Sequence, residues 1–158
     1  MIGRLRGVVA EHAPDGCCVI DVGGVGYDVH VPARIVSQLG SVTGEAVLFV
    51  HTHVREDAFT LYGFDSVQDR EVFRKLLSVS NVGPRLAMAI LGVLNASELV
   101  HAITRGDRSR LKGVSGVGPK TIDRIVLELK DKLDTLVGQM PAPTRSASRS
   151  DQAVSDPL

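Results

Sequence analysis

Cysteine is scarce in this 158-residue chain: Cys17 and Cys18 are its only two, and they are adjacent, a spacing that builds neither a disulfide framework nor a metal site. Net charge is absent too, since Lys plus Arg equal Asp plus Glu at 18 each, which taken alone argues against a polyanionic partner. No apolar run is long enough to span a bilayer, and no charged-then-apolar leader opens the chain. These absences predict a soluble, cytoplasmic protein. Missing as well are a G-x-x-x-x-G-K-[ST] loop for a nucleoside triphosphate and any Ser/His/Asp or Cys/His spacing fit for nucleophilic catalysis, so the expectation is a non-enzyme without cofactor. Aromatic residues are only 4% of the chain. The first 63 residues hold Tyr27, Phe49, Phe59 and Tyr62, several of them expected in the core, which leaves little on which to stack the bases of a single strand.

The zero net charge hides an asymmetry. From Met1 to Gly63 four arginines face seven carboxylates, whereas from Phe64 to Gly138 twelve Lys and Arg face nine Asp and Glu. An acidic part is joined to a basic part.

The acidic part reads as strands. Apolar or alternating segments around Ile2 to Val9, Cys18 to Val22, Gly26 to Val31, Ala46 to Val54 and Ala58 to Tyr62 are separated by Gly-rich turns, with one helical turn near Ala33 to Leu39. Five short strands suit a small closed barrel of the oligonucleotide-binding (OB) type over residues 1–63. The run Gly23-Gly24-Val25-Gly26 is a hairpin turn and not a dinucleotide loop, because the residues after it alternate with period two where that fingerprint must open a helix. His51 and His53 share one strand face, but no third ligand accompanies them, so a solvated or interface-facing pair is the better reading. Glu56 and Asp57 occupy the tip of a hairpin and, by residue type alone, read as a polar turn.

From Phe64 the period becomes helical. Asp65 with Gln68, and Asn95 with Glu98, have capping-box spacing for helices reaching about Val79 and Thr104. A short helix is expected from Asp107 to Leu111, and a last one from Pro119 to Val137. Residues 64–138 form an all-α unit, and residues 139–158, rich in Pro, Ala, Ser and Thr, read as a disordered tail or linker.

Within the helical unit one pattern occurs twice. LLSVSNVGPRLAMAIL begins at Leu76, and LKGVSGVGPKTIDRIVLEL begins at Leu111, 35 positions on. Each is a helix end, a loop closing on Gly (Gly83, Gly118), a proline, a cation (Arg85, Lys120) and a second amphipathic helix. Proline suits the first helical position because its missing N–H has no partner there and its φ is already helical. The free N–H groups of the first turn and the positive end of the helix dipole make a seat for one phosphate. Gly83, Gly116 and Gly118 are expected to permit positive φ and close approach. Such a loop offers main-chain donors to a phosphate and nothing to a base edge, so two of them would hold a nucleic-acid backbone without reading it.

MIGRLRG, VGGVGYDVHVP, VREDAFTLYGF, LLSVSNVGPRLAMAIL and GVGPKTIDRIVLELKDK, in this order and spacing, resemble the bacterial Holliday junction branch-migration proteins of the RuvA family, from Met1 to about Gly138. The resemblance implies an OB-fold barrel followed by tandem helix-hairpin-helix motifs, and a homotetramer, alone or paired face to face as an octamer, that cradles a four-way DNA junction. It implies that Glu56 and Asp57 form an acidic pin at the tetramer centre. It also implies that Gly83, Arg85, Gly116, Gly118 and Lys120 face phosphate, with Arg124 a turn further along, and that the AAA+ ATPase RuvB supplies the motion while the resolvase RuvC is a further partner. Two positions depart from the pattern. Asn81 stands where the first loop usually has glycine, and since asparagine tolerates the left-handed region the loop is expected to survive with slightly altered backbone donation; Ile122 stands where the second motif often has a small residue, which places its interhelix spacing in question. The family's small C-terminal ATPase-binding domain has no counterpart in the sequence, which places coupling to RuvB in question. The rival enzyme class, a helix-hairpin-helix nuclease or glycosylase, would need metal-binding carboxylates, and the late acids Asp131 and Asp134 read instead as a solvated helix face.

Overall fold

The computed structural model describes residues 1–40 and 44–137; the tail expected at 139–158 lies outside the described residues. The chain is α+β: a closed five-stranded barrel followed by helices. Strands β1 (Arg4–His12), β2 (Cys17–Val22) and β3 (Val25–His30) form a meander, helix α1 (Ala33–Leu39) crosses one end, and β4 (Glu45–Val54) and β5 (Phe59–Phe64) make a second hairpin. The order around the barrel is β1-β2-β3-β5-β4, with β3 and β5 parallel at Val29↔Leu61 and β4 antiparallel to β1 at Leu5↔Leu48.

Alternation turns one set of side chains inward: Leu5, Cys18, Ile20, Val29, Ala46, Leu48, Val50 and Leu61, with Ile35 and Leu39 of α1 completing the barrel core. Each large aliphatic buried here contributes roughly 1.5–3 kcal/mol. At the β2–β3 turn both Gly23 (φ 59) and Gly24 (φ 92) lie in the left-handed region, the two-residue hairpin geometry anticipated from the sequence. Burial pushes the Cys18 thiol up to about 11, with the neighbouring Cys17 and Asp28 adding to it.

The helical part comprises α2 (Val67–Leu77), α3 (Pro84–Val93), α4 (Ala96–Arg105), α5 (Ser109–Lys112) and α6 (Pro119–Val137) around a second core that includes Phe73, Leu76, Ile90, Leu99, Leu111, Ile125 and Leu129. Among the described residues no single helix is long and apolar enough to cross a membrane. The Asn95–Glu98 capping box is present, with both bonds at 2.9 Å. The box expected at Asp65 and Gln68 is not. Ser66 caps α2 instead, accepting from the Asp69 N–H at 3.1 Å, because Asp65 is drawn toward Arg34 (3.4 Å). The short fifth helix begins at Ser109, two residues later than expected, since the Asp107 carboxylate lies outside it and accepts from the Ser109 N–H at 3.0 Å. The aromatic expectation is also corrected. None of Tyr27, Phe49, Phe59 and Tyr62 is buried, and the fully buried rings are Phe64 and Phe73, which meet at 5.0 Å beside the barrel.

Barrel and helices are held together by polar contacts laid over this aromatic seam. Arg34 of α1 donates through Nε to the Leu91 carbonyl at the end of α3 (2.8 Å), and its Nη2 pairs with Asp69 of α2. Asp69, 2% exposed, accepts in turn from the Ala96 N–H at the start of α4 (2.8 Å). Arg70 donates to the Gly3 carbonyl at 2.7 Å, and Arg74 to Nδ1 of His51 at 3.1 Å. His51 therefore faces an interface, its ring edge-on to Phe73 at 5.5 Å.

Two outcomes are expected. Arg34→Met strands the buried Asp69 charge and should lower unfolding free energy by about 3 kcal/mol in denaturant titration. Burial, and then the neighbouring Arg74 and the His53 ring, hold the His51 imidazole below its ordinary value of 6.5. The unfolded chain then takes up this proton more readily than the folded one. The stability tied to His51 is present above pH 6.5 and is lost as pH falls through the folded value, and His51→Gln should remove that component from the pH profile.

Candidate nucleic-acid interface

The two sequence repeats fold into two helix-hairpin-helix units with the same backbone bonds. In the first, α2 leads through 78–83 into α3, with Val82 N–H donating to the Val79 carbonyl (3.1 Å) and Ala87 N–H to the Gly83 carbonyl (3.0 Å). In the second, α5 leads through 113–118 into α6, with Val117 N–H donating to the Val114 carbonyl (3.4 Å) and Ile122 N–H to the Gly118 carbonyl (3.0 Å). Apolar anchors repeat at the same offset: Leu76 and Leu111, Val79 and Val114, Ala87 and Ile122 are all buried. Ile122 is 2% exposed within the helical core, and its turn has the same 3.0 Å bond as the turn at Ala87. The larger side chain is thus taken up within the helical core.

The reversal in each loop occurs at one residue. Asn81 has φ 65, the only non-glycine positive φ among the described residues, and its counterpart Gly116 has φ 85. Asparagine is among the few non-glycine residues enriched in this region. Contrary to expectation, Gly83 and Gly118 do not use positive φ; Gly83 is extended at φ −94, ψ 179. A Cβ added at Gly83, Gly116 or Gly118 would meet nothing within 4 Å. Packing inside the chain therefore gives no reason for glycine at 83 or 118.

Pro84 and Pro119 open their helices, which leaves the N–H groups of Arg85 and Leu86, and of Lys120 and Thr121, without intrahelical acceptors. An open concavity of about 530 Å³ lies between the two units, lined by Gly83, Arg85, Leu86, Ala89, Ser115 and Gly116. The fold thus brings Gly83, Arg85 and Gly116 to one place. Asn81, Gly118, Lys120 and Arg124 are exposed but outside that lining. Ser115 is a wall residue that sequence reasoning missed; only the offset pairing with Ser80 marks it. Helix α6 braces the first loop as well, through Glu128 Oε2 accepting from the Ser80 N–H (3.4 Å) and Lys132 Nζ donating to Ser78 Oγ (3.1 Å).

Glu56 and Asp57 stand exposed at the β4–β5 tip, where the Arg55 N–H donates to the Ala58 carbonyl at 2.8 Å. Below them the cross-strand pair Val54 and Phe59 is itself 63% and 61% exposed. Neither carboxylate lines the concavity between the two hairpin units. Among the described residues no group of three or more His, Cys, Asp or Glu could hold a metal, and Asp131 and Asp134 lie exposed on α6.

Two family models match in chain order: the RuvA N terminal domain over residues 1–63, and the SAM-like helix-hairpin-helix tandem over residues 73–131. The protein of Solibacter usitatus described as Holliday junction branch migration complex subunit RuvA is 46% identical over 148 residues, covering 93% of this chain and 75% of that protein. This chain belongs to the RuvA family. RuvA subunits of Cronobacter sakazakii and Escherichia coli strain K12 are 44% and 43% identical over 143 residues, each alignment covering 90% of this chain and 70% of the relative. Against this RuvA background the left-handed asparagine is a local feature with its own energetic signature. Asn81→Ala should lower stability by about 1 kcal/mol, because alanine tolerates positive φ less well than asparagine. Asn81→Gly should leave it within a few tenths, as read by chemical denaturation.

Proposed function

We propose that this chain binds four-way (Holliday) junction DNA as the non-catalytic subunit of the RuvAB branch-migration complex in recombination and repair. The observation that carries this reading is the pair of equivalent loops whose glycines, Gly83 and Gly118, meet nothing inside the protein and leave main-chain donors open to an outside anion. Gly83, Arg85, Gly116, Gly118, Lys120 and Arg124, with Asn81 shaping the first loop, hold successive phosphates of a duplex arm. Glu56 and Asp57 act as a pin at the crossover. One carboxylate about 4 Å from a phosphate is repelled by only about 1 kcal/mol in water, rising to about 4 kcal/mol near a protein surface. The pin therefore needs several copies around one axis, which the homotetramer supplies.

The barrel of residues 1–63 and the helical unit of 64–138 divide the work: the barrel presents repulsion at the centre, and the helices attract the arms outside it. One tetramer, or two face to face, clasps the junction in the cytoplasm. The AAA+ ATPase RuvB drives migration, and the resolvase RuvC shares the junction. No cofactor is required by this chain.

Gel-shift competition should show four-way junction preferred over linear duplex of the same arms, and equal affinity would refute the reading. Log affinity should fall steeply with log salt, at about −0.9 per phosphate neutralised. Gly83→Ala and Gly118→Ala should leave the melting curve unchanged and weaken binding to both DNA forms. Charge reversal by Glu56→Lys and Asp57→Lys should relax junction preference without weakening DNA binding.

A further inference from the structure

The positive excess of the helical unit is concentrated in one short segment. Residues 105–112, RGDRSRLK, carry four cations and one acid, and outside them residues 64–138 hold eight Lys and Arg against eight Asp and Glu. The segment ends α4, turns through Gly106, forms α5, and delivers the chain directly into the second hairpin loop at Gly113. Arg105, Arg108, Arg110 and Lys112 are all exposed. A conformation for the turn is set locally, since Asp107 Oδ1 accepts from both the N–H (3.0 Å) and the hydroxyl (2.5 Å) of Ser109.

The four cations are not equivalent. Among the described residues Arg105 and Lys112 form no ion pair, Arg110 has a loose one with Glu98 at 3.9 Å, and Arg108 has a close one, Nε to Asp123 Oδ1 at 2.5 Å. Asp123 lies on α6 three residues after Lys120, so the two share a helix face, and Arg124 follows directly. The Arg108–Asp123 bond thus ties the basic segment to the same end of α6 that carries the second hairpin's cations. Both partners are about half exposed or more (49% and 62%), so the pair exchanges readily with an outside anion.

We propose that Arg105, Arg108, Arg110 and Lys112 form a second phosphate-binding surface that continues the grip of the second hairpin along a duplex DNA backbone, and that Asp123 restrains it by holding Arg108. This rests on the DNA-binding reading above. The ligand is the sequence-independent phosphodiester backbone, because these four exposed side chains offer charge and none of them lines the concavity between the hairpins. Arg105 and Lys112 meet phosphate without first giving up a carboxylate. Arg108 must exchange Asp123 for phosphate, so its contribution is damped.

The test measures affinity of the full chain for a labelled four-way junction, and for linear duplex of the same arms, as a function of salt. Arg105→Ala with Lys112→Ala should reduce the salt slope by about one unit per cation removed and weaken both DNA forms alike. Asp123→Asn should do the opposite, tightening binding and steepening the slope. All three positions are exposed, and unchanged circular dichroism and melting would confirm intact folding. If the wild-type chain binds DNA with a steep slope and the double variant keeps it, the segment is no DNA surface and the proposal fails, leaving an acidic protein as the kind of partner its charge would suit. If Asp123→Asn weakens binding, the restraint is refuted. Failure of the underlying reading looks different, since the wild-type chain itself would then show no preference for the junction.

Discussion

The contact between Arg34 and Asp69 is the constraint on which the arrangement of the whole chain depends. A barrel and a helical bundle joined by two residues would otherwise be free to take many relative angles. The guanidinium answers α2 through a carboxylate and α3 through a carbonyl, and that carboxylate also caps α4. Three helices are thereby referred to one side chain on the barrel. Removing the guanidinium leaves the Asp69 carboxylate buried without its ion-pair partner, which makes the arrangement costly to break. The aromatic seam of Tyr62, Phe64 and Phe73 supplies adhesion but little direction; the directional bonds set the angle.

The duplicated hairpins show that a backbone solution can be kept while the side chains diverge. Val79 and Val114, and Leu76 and Leu111, anchor the loops identically, yet the left-handed position is filled once by Asn81 and once by Gly116, and the buried position once by Ala87 and once by Ile122. What stays constant is the outward face: glycine, proline, cation. The inward face follows whatever volume its own part of the core has to fill.

Much of this architecture is legible in the amino-acid sequence alone. Helices α1 and α6 run between the residues expected, because Pro32 and Gly40 bracket the first and Pro119 opens the second. The five strands and their closure follow from alternation and Gly-rich turns. The misses share a cause, which is long-range contact. Asp65 has the spacing of a cap, but Arg34, 31 residues away in the chain, claims it. Phe49 and Phe59 look like core residues of a barrel, but Phe49 sits on the outward pleat, and Phe59, on the same face as Leu61, lies at the hairpin tip beyond the barrel's end; nothing local says either until register is set. Residue type alone suggests positive φ at Gly83 and Gly118, and only the dihedrals separate glycine needed for a turn from glycine needed for open space. Ser115 becomes a wall of the concavity only because the fold sets the two loops side by side.

The open backbone at Gly83 and Gly118 has a mechanical consequence. If, as proposed, these loops hold phosphate, main-chain donors would present every passing phosphate with the same partner, whatever base it carries, so a duplex drawn across them would meet a nearly level energy profile with a period of one nucleotide. A side-chain grip on base edges would instead catch at favoured sequences and release slowly. A hold built this way would work as a low-friction bearing, its resistance set by ionic strength and hardly at all by the text being moved.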